Sequence, residues 1–133
     1  MDVATAVASG GRAPCAEADR RLAAEFARRL ADAVGGVPFR VTLYGSRARG
    51  DAEPGSDLDL FVAVGLDRMP AAFREAARAT AAELTLDSGI LVSLFLADND
   101  YVRTHEGWSL LRAVAAEGVS VNHSWQHERS RGR

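Results

Sequence analysis

Two aspartates, Asp57 and Asp59, open an apolar run, Asp-Leu-Asp-Leu-Phe-Val-Ala-Val. If that run is a strand, side chains at i and i+2 leave the same face, roughly 6.6 Å apart along the backbone. Two carboxylates side by side on an apolar strand are costly without a partner. The partner they suit is Mg²⁺, a hard ion that takes one or two protein carboxylates and completes its octahedron with water and substrate phosphates. Upstream stands Gly45-Ser46, with ten residues between Ser46 and Asp57. Gly45 lets the backbone come close to a phosphate, and Ser46 offers an N–H and a hydroxyl if it opens a short helix. Arg47 and Arg49 can then reach phosphate oxygens. Either half alone is most simply a turn or a solvated strand end. Joined at this spacing, a phosphate cradle and a carboxylate pair point to a nucleoside triphosphate with magnesium.

The elements that must position these groups are legible on either side. From Ala16 to Val34 the apolar residues Leu22, Phe26, Leu30 and Val34 recur every four positions, predicting an amphipathic helix stopped by Gly35-Gly36 and Pro38. Phe39 to Tyr44 alternates apolar and polar residues as a first strand. Gly45 to Ser56, with Gly50, Pro54 and Gly55, reads as a loop, and its start allows a short helix from Ser46. Asp57 to Val64 is the second strand, its outer half expected to be buried on both sides. Pro70 to Leu86 is a second helix, with Phe73, Ala77, Ala81 and Leu84 inward, turned by Asp87-Ser88-Gly89. Ile90 to Ala97 is a third strand, and Trp108 to Glu117 a third helix ended by Gly118. Asn122 to Arg133 is expected to fray. The pattern predicts an α/β (α+β) fold, a small mixed sheet covered by helices.

Composition narrows the function. A chain of 133 residues, 47% hydrophobic and 26% charged, suits one globular domain over 1–133, with its core at about 16–120 and loose tails. The net charge of −2 lacks the basic surplus of a general nucleic-acid binder, so direct nucleic-acid binding is not expected. Every basic residue is Arg, which excludes Schiff-base and P-loop-lysine chemistry. The single Cys15 cannot form an internal disulfide, and no apolar run approaches the ~20 residues of a membrane-spanning helix. A cytoplasmic protein with no membrane partner and no secretory signal is expected.

The stretch Gly45-Ser46-Arg47-Ala48-Arg49-Gly50-Asp51, Pro54 and Ser56-Asp57-Leu58-Asp59-Leu60-Phe61-Val62 resembles the signature of the minimal nucleotidyltransferases, the MNT branch of the DNA polymerase beta superfamily. The resemblance implies a polymerase-beta-like fold in which Gly45 and Ser46 bind the β,γ-phosphates and Asp57 and Asp59 coordinate two Mg²⁺ ions. It implies transfer of a nucleoside monophosphate, AMP from ATP, to an acceptor hydroxyl with release of pyrophosphate. The family usually carries a third carboxylate on the next core strand, where this sequence has Val92-Ser93-Leu94. Ser93 is neither a general base nor a carboxylate charge. Asp98 and Asp100, at the exit of that strand, are the nearest substitutes, but ~16 Å or more away along a strand.

Related proteins that modify antibiotics, RNA or DNA attach further domains, whereas only a short tail follows here, so the acceptor is expected on a separate partner. The resemblance points to a helical HEPN-type toxin, with this chain as its antitoxin. Two readings follow: an enzyme that nucleotidylates the partner, or a catalytically weak antitoxin that binds and neutralises it. Of the remaining residues, His105 reads as a surface residue, and His123 and His127 mimic a metal pair in a polar tail. Trp108 is either core or a partner-binding aromatic.

Overall fold

The computed structural model describes residues 15–121, and the expectations placed on His123, His127 and the frayed tail lie outside them. In chain order the elements are α1 (Glu17–Val34), β1 (Phe39–Tyr44), α2 (Ser46–Arg49), β2 (Leu58–Val64), α3 (Ala71–Ser88), β3 (Val92–Ala97), α4 (Asn99–His105), α5 (Ser109–Glu117) and β4 (Val119–Ser120). The four strands form one mixed sheet in the order β3-β2-β1-β4. β1 runs antiparallel to β2 and to β4, and β2 runs parallel to β3 through the α3 crossover.

Strand alternation gives the sheet two unlike faces. Phe39, Val41 and Leu43 of β1, Leu58, Leu60, Val62 and Val64 of β2 and Val92 of β3 are buried in one cluster with Ala23, Phe26, Ala27 and Leu30 of α1 and Phe73, Ala77, Ala81 and Leu84 of α3. Phe39 and Phe73 meet edge to face, their centroids 5.8 Å apart. The inward line of α1 is therefore Ala23, Phe26, Ala27 and Leu30 together with Asp19, while Leu22 and Val34 of the predicted stripe are only partly buried. The opposite face carries Arg40, Thr42 and Tyr44, then Asp59, Phe61 and Ala63, then Ser93, Phe95 and Ala97 in matching rows. Phe61 stacks on Phe95 there at 5.8 Å. Of β2, Phe61 through Val64, Ala63 is only partly buried, so burial on both sides stops short of the whole outer half.

Several boundaries differ from the sequence expectation. Helix α3 continues through Ser88, because Gly89 adopts the left-handed conformation and donates its N–H to the Thr85 carbonyl as a helix terminator. Ile90 and Leu91 precede β3, although the Leu91 carbonyl already accepts the Leu58 N–H at 2.8 Å. Helix α4 was not expected. Asp98 caps it, accepting the Tyr101 N–H through Oδ1 and the Met69 N–H through Oδ2, both at 2.9 Å. The two-residue β4 carries too little pattern to predict; it is held by pairing with Thr42 and Leu43 and by the Val121 N–H on the Val41 carbonyl. Among the described residues no helix is long and apolar enough to cross a membrane.

Candidate functional site

Gly45 ends β1 and opens α2, and its backbone, at φ 81° and ψ −160°, lies where only glycine is at ease. A Cβ placed there would stand 2.5 Å from Asp59 Oδ2. The Gly45 turn and the second aspartate therefore touch across β1 and β2, and the absent side chain is what lets them. Register makes the same point, since Tyr44 pairs with Asp59 and Asp59 pairs with Ser93. Tyr44, Asp59 and Ser93 form one row across three strands at the edge of the face that α1 and α3 leave uncovered.

Asp59 is half-buried and Asp57 exposed. Burial first, and the Asp57 charge second, push the Asp59 carboxyl above its ordinary value, with Arg49 opposing. Burial, and then the Asp59 charge, likewise push the Tyr44 phenol up. A carboxylate raised by burial and by the charge of a second carboxylate beside it, all-oxygen donors and an open approach beside Gly45 fit a hard divalent cation. Asp57 and Asp59 are the residues that would hold it. Among the described residues no cluster of three or more His, Cys, Asp or Glu side chains surrounds a common point.

The two arginines expected on phosphate have other partners. Arg47 gives Nη1 to Asp19 Oδ1 at 2.8 Å, and Nε and Nη2 to the Ser56 carbonyl at 3.0 and 2.9 Å. The Arg47 and Asp19 side chains are only 13% and 11% exposed. Arg49 pairs with Asp51 at 3.2 Å and with Glu117, at the end of α5, at 3.1 Å. Asp19, the Ser56 carbonyl and Glu117 are thus supports that sequence reasoning missed. Asp19 did leave a signal, an acid four residues before Ala23 and seven before Phe26 on the buried line of α1. The Ser56 carbonyl and Glu117 left none.

Asp98 and Asp100 do not join the aspartate pair. Asp98 caps α4, and although burial opposes ionisation, the Tyr101 and Met69 N–H groups hold its carboxyl below the ordinary range. Asp100 pairs with Arg103. His105 stacks on Tyr101 at 3.8 Å and meets the edge of Trp108 at 4.2 Å, and Trp108 is 57% exposed, so it is not core. Farther along the same sheet face, a cavity of about 640 Å³ lies between the sheet and helices α4 and α5, lined by Phe61, Ala63, Val102, Leu111 and Val114 among others. None of the sequence-predicted site residues lines it.

A mixed sheet of this order, with two helices closing one face and a Gly-Ser turn abutting, on the other, the strand that Asp57 precedes and Asp59 lies on, defines a polymerase-beta-like nucleotidyltransferase fold. The chain belongs to the nucleotidyltransferase domain family, whose profile matches residues 23–93, more than half its length. Among solved structures, it is similar to a toxin–antitoxin crystallised with AMP-PNP, at 19% identity and a TM-score of 0.50, over 80% of this chain and 78% of that one. A mutant of the toxin–antitoxin MntA-HpeT aligns at 16% identity and a TM-score of 0.49, over 81% of this chain and 84% of that one. The first of these likenesses concerns the fold alone. No curated protein matches the sequence.

Proposed function

We propose that this protein is a Mg²⁺-dependent nucleotidyltransferase of the MNT type, moving AMP from ATP to a hydroxyl of a partner protein in the cytoplasm, with residues 1–133 as one domain. The observation that carries the reading is the contact of Gly45 with Asp59, which joins a phosphate turn to a carboxylate pair. In the reaction the acceptor hydroxyl gives up its proton to solvent, its oxygen bonds to the α-phosphorus, the bond from that phosphorus to the oxygen bridging to the β-phosphate breaks, and pyrophosphate leaves. Bound Mg²⁺ supplies charge neutralisation at the α-phosphate and at the leaving pyrophosphate. Asp57 and Asp59 hold and orient that charge. Gly45 and Ser46 seat the β,γ-phosphates, and Arg49 adds positive charge beside Asp59. Arg49 meets the triphosphate by exchanging Glu117 or Asp51 for phosphate oxygens. The solved toxin–antitoxin of the same fold contains AMP-PNP, which supports ATP as donor and a protein partner, here of the helical HEPN type.

Ser93 favours a second reading. It sits beside Asp59, where a third carboxylate would complete the site, and its hydroxyl neither takes up the acceptor's proton as a base nor adds negative charge. On that reading the chain is an antitoxin that binds nucleotide and partner and transfers little. The test uses ATP labelled at the α-phosphate, Mg²⁺ and lysate of the source organism. A labelled macromolecule that disappears with Asp57→Asn establishes transfer and delivers the acceptor. No label, with ATP still bound, establishes the binding module, and Ser93→Asp then restores transfer if Ser93 is the cause.

A further inference from the structure

Three segments far apart in the chain meet at one guanidinium. Asp19 comes from the first turn of α1, Arg47 from the turn that carries Gly45 and Ser46, and the Ser56 carbonyl from the residue before Asp57. The Ser56 carbonyl and the Asp57 nitrogen belong to the same planar peptide. Two donors of one fork on that oxygen therefore fix the plane from which Asp57 departs. On the far side, the Leu58 N–H on the Leu91 carbonyl at 2.8 Å fixes the next peptide. Between Asp51, tied to Ser46 and Arg49, and Ser56, held by Arg47, the chain is held only lightly, since Glu53, Pro54 and Gly55 are exposed and the turn is closed by two hydrogen bonds between Glu53 and Ser56.

We propose that Arg47 is a positioning residue that sets the first carboxylate, Asp57, against the Gly45-Ser46 turn, with Asp19 as the anchor that aims its guanidinium. The inference rests on the reading of Asp57 and Asp59 as the cation site and gives Arg47 a task other than touching phosphate. Only arginine can do this. A lysine in its place keeps the charge for Asp19 but is a point donor without a planar fork, so it cannot hold Asp19 and grip the Ser56 oxygen twice.

The test measures binding of Mn²⁺ to the full chain by the loss of the free-ion paramagnetic signal, with a thermal melt of each variant. Arg47→Lys is expected to weaken Mn²⁺ binding about tenfold, the lower end of what supporting groups around metal ligands contribute. The double variant Asp19→Leu/Arg47→Met leaves no charge buried and is expected to melt at or above the parent's temperature. It should still bind Mn²⁺ at least about tenfold more weakly. Parent-like binding by a folded Arg47→Lys or by the double variant overturns the proposal. So does a loss of binding that only follows a drop in melting temperature. Asp57→Asn serves as the control: if it binds Mn²⁺ as tightly as the parent, the cation site itself is misplaced and the failure is not that of Arg47.

Discussion

The two faces of the sheet are built from the same three strands and could hardly differ more. Toward α1 and α3, Val41, Leu43, Leu58, Leu60 and Val62 are fully buried among the helices' apolar side chains. On the other face the row Tyr44, Asp59 and Ser93 is polar and half-exposed, and the next row, Thr42, Phe61 and Phe95, is roofed by aromatic stacking and by α4 and α5. The closed face spends its residues on stability. The open face accepts a half-buried carboxylate beside a second like charge, an arrangement that costs stability and that the proposed cation would relieve. On the proposed reading, adjacent residues of β2 serve opposite ends, Leu60 for the fold and Asp59 for the chemistry.

Substituting these two neighbours separates the faces most sharply. Asp59→Asn is expected to lower nucleotidyl transfer on the order of a hundredfold or more, as loss of a group that stabilises transition-state charge does. Its melting temperature should not fall. Burial, with Asp57 second, raises the Asp59 carboxyl, so the folded protein penalises the ionised form; the penalty is absent below the ordinary carboxylate range and grows as pH rises through the raised value. In metal-free buffer the parent should lose stability across that window relative to Asp59→Asn. Thermal melts over a pH series read this directly, and an Asn variant that melts lower at neutral pH contradicts it.

Leu60→Ala, one residue on, is expected to cost about 2–5 kcal/mol of stability through the cavity it leaves. Denaturant unfolding measures the loss, and Mn²⁺ binding by the folded fraction should be unchanged. Gly45→Ala tests where the faces meet. The added methyl crowds Asp59 Oδ2, and the positive φ strains any side chain, so a stability loss of about 1 kcal/mol or more is expected together with a fall in Mn²⁺ affinity. A variant that keeps both shows that the turn does not abut the carboxylate.

The smallest effect belongs to Asp98, an acid that is structural. Asp98→Ala should cost about 1 kcal/mol by loss of the α4 cap. Because two backbone N–H groups hold its carboxyl down, this contribution is full above the ordinary carboxylate range and fades as pH falls through the lowered value. Parent and variant melts should converge in acid, while transfer at neutral pH stays near that of the parent.

Much of this was legible along the chain. Phe39–Tyr44 matches its predicted strand to the residue, and the helix starting at Ser46 falls where Gly45 permits it. Asp98, a strand-exit acid and the nearest substitute for a third carboxylate, is also legible as a cap, with Tyr101 three residues on, and the structure makes it the cap. Arg47 shows the opposite case. Its type and place beside Ser46 suggest phosphate, yet its partners are 28 and nine residues away, and no local period encodes them.

The sequence by itself determined the chemistry on offer: a glycine-serine turn, two carboxylates with one residue between, and a serine in the strand that follows. Those are matters of residue type and of the two-residue repeat of a strand, both local. The tertiary structure alone decided that Ser93 lies beside Asp59, that Gly45 presses against the same carboxylate, and that Arg47 and Arg49 are engaged by Asp19 and Glu117. Register between strands and the meeting of Asp19 with Arg47, 28 residues apart, follow from how the closed face packs, because burying that face is what sets the strands side by side, while Arg49 meets Glu117, 68 residues on, where α5 lies over the open face.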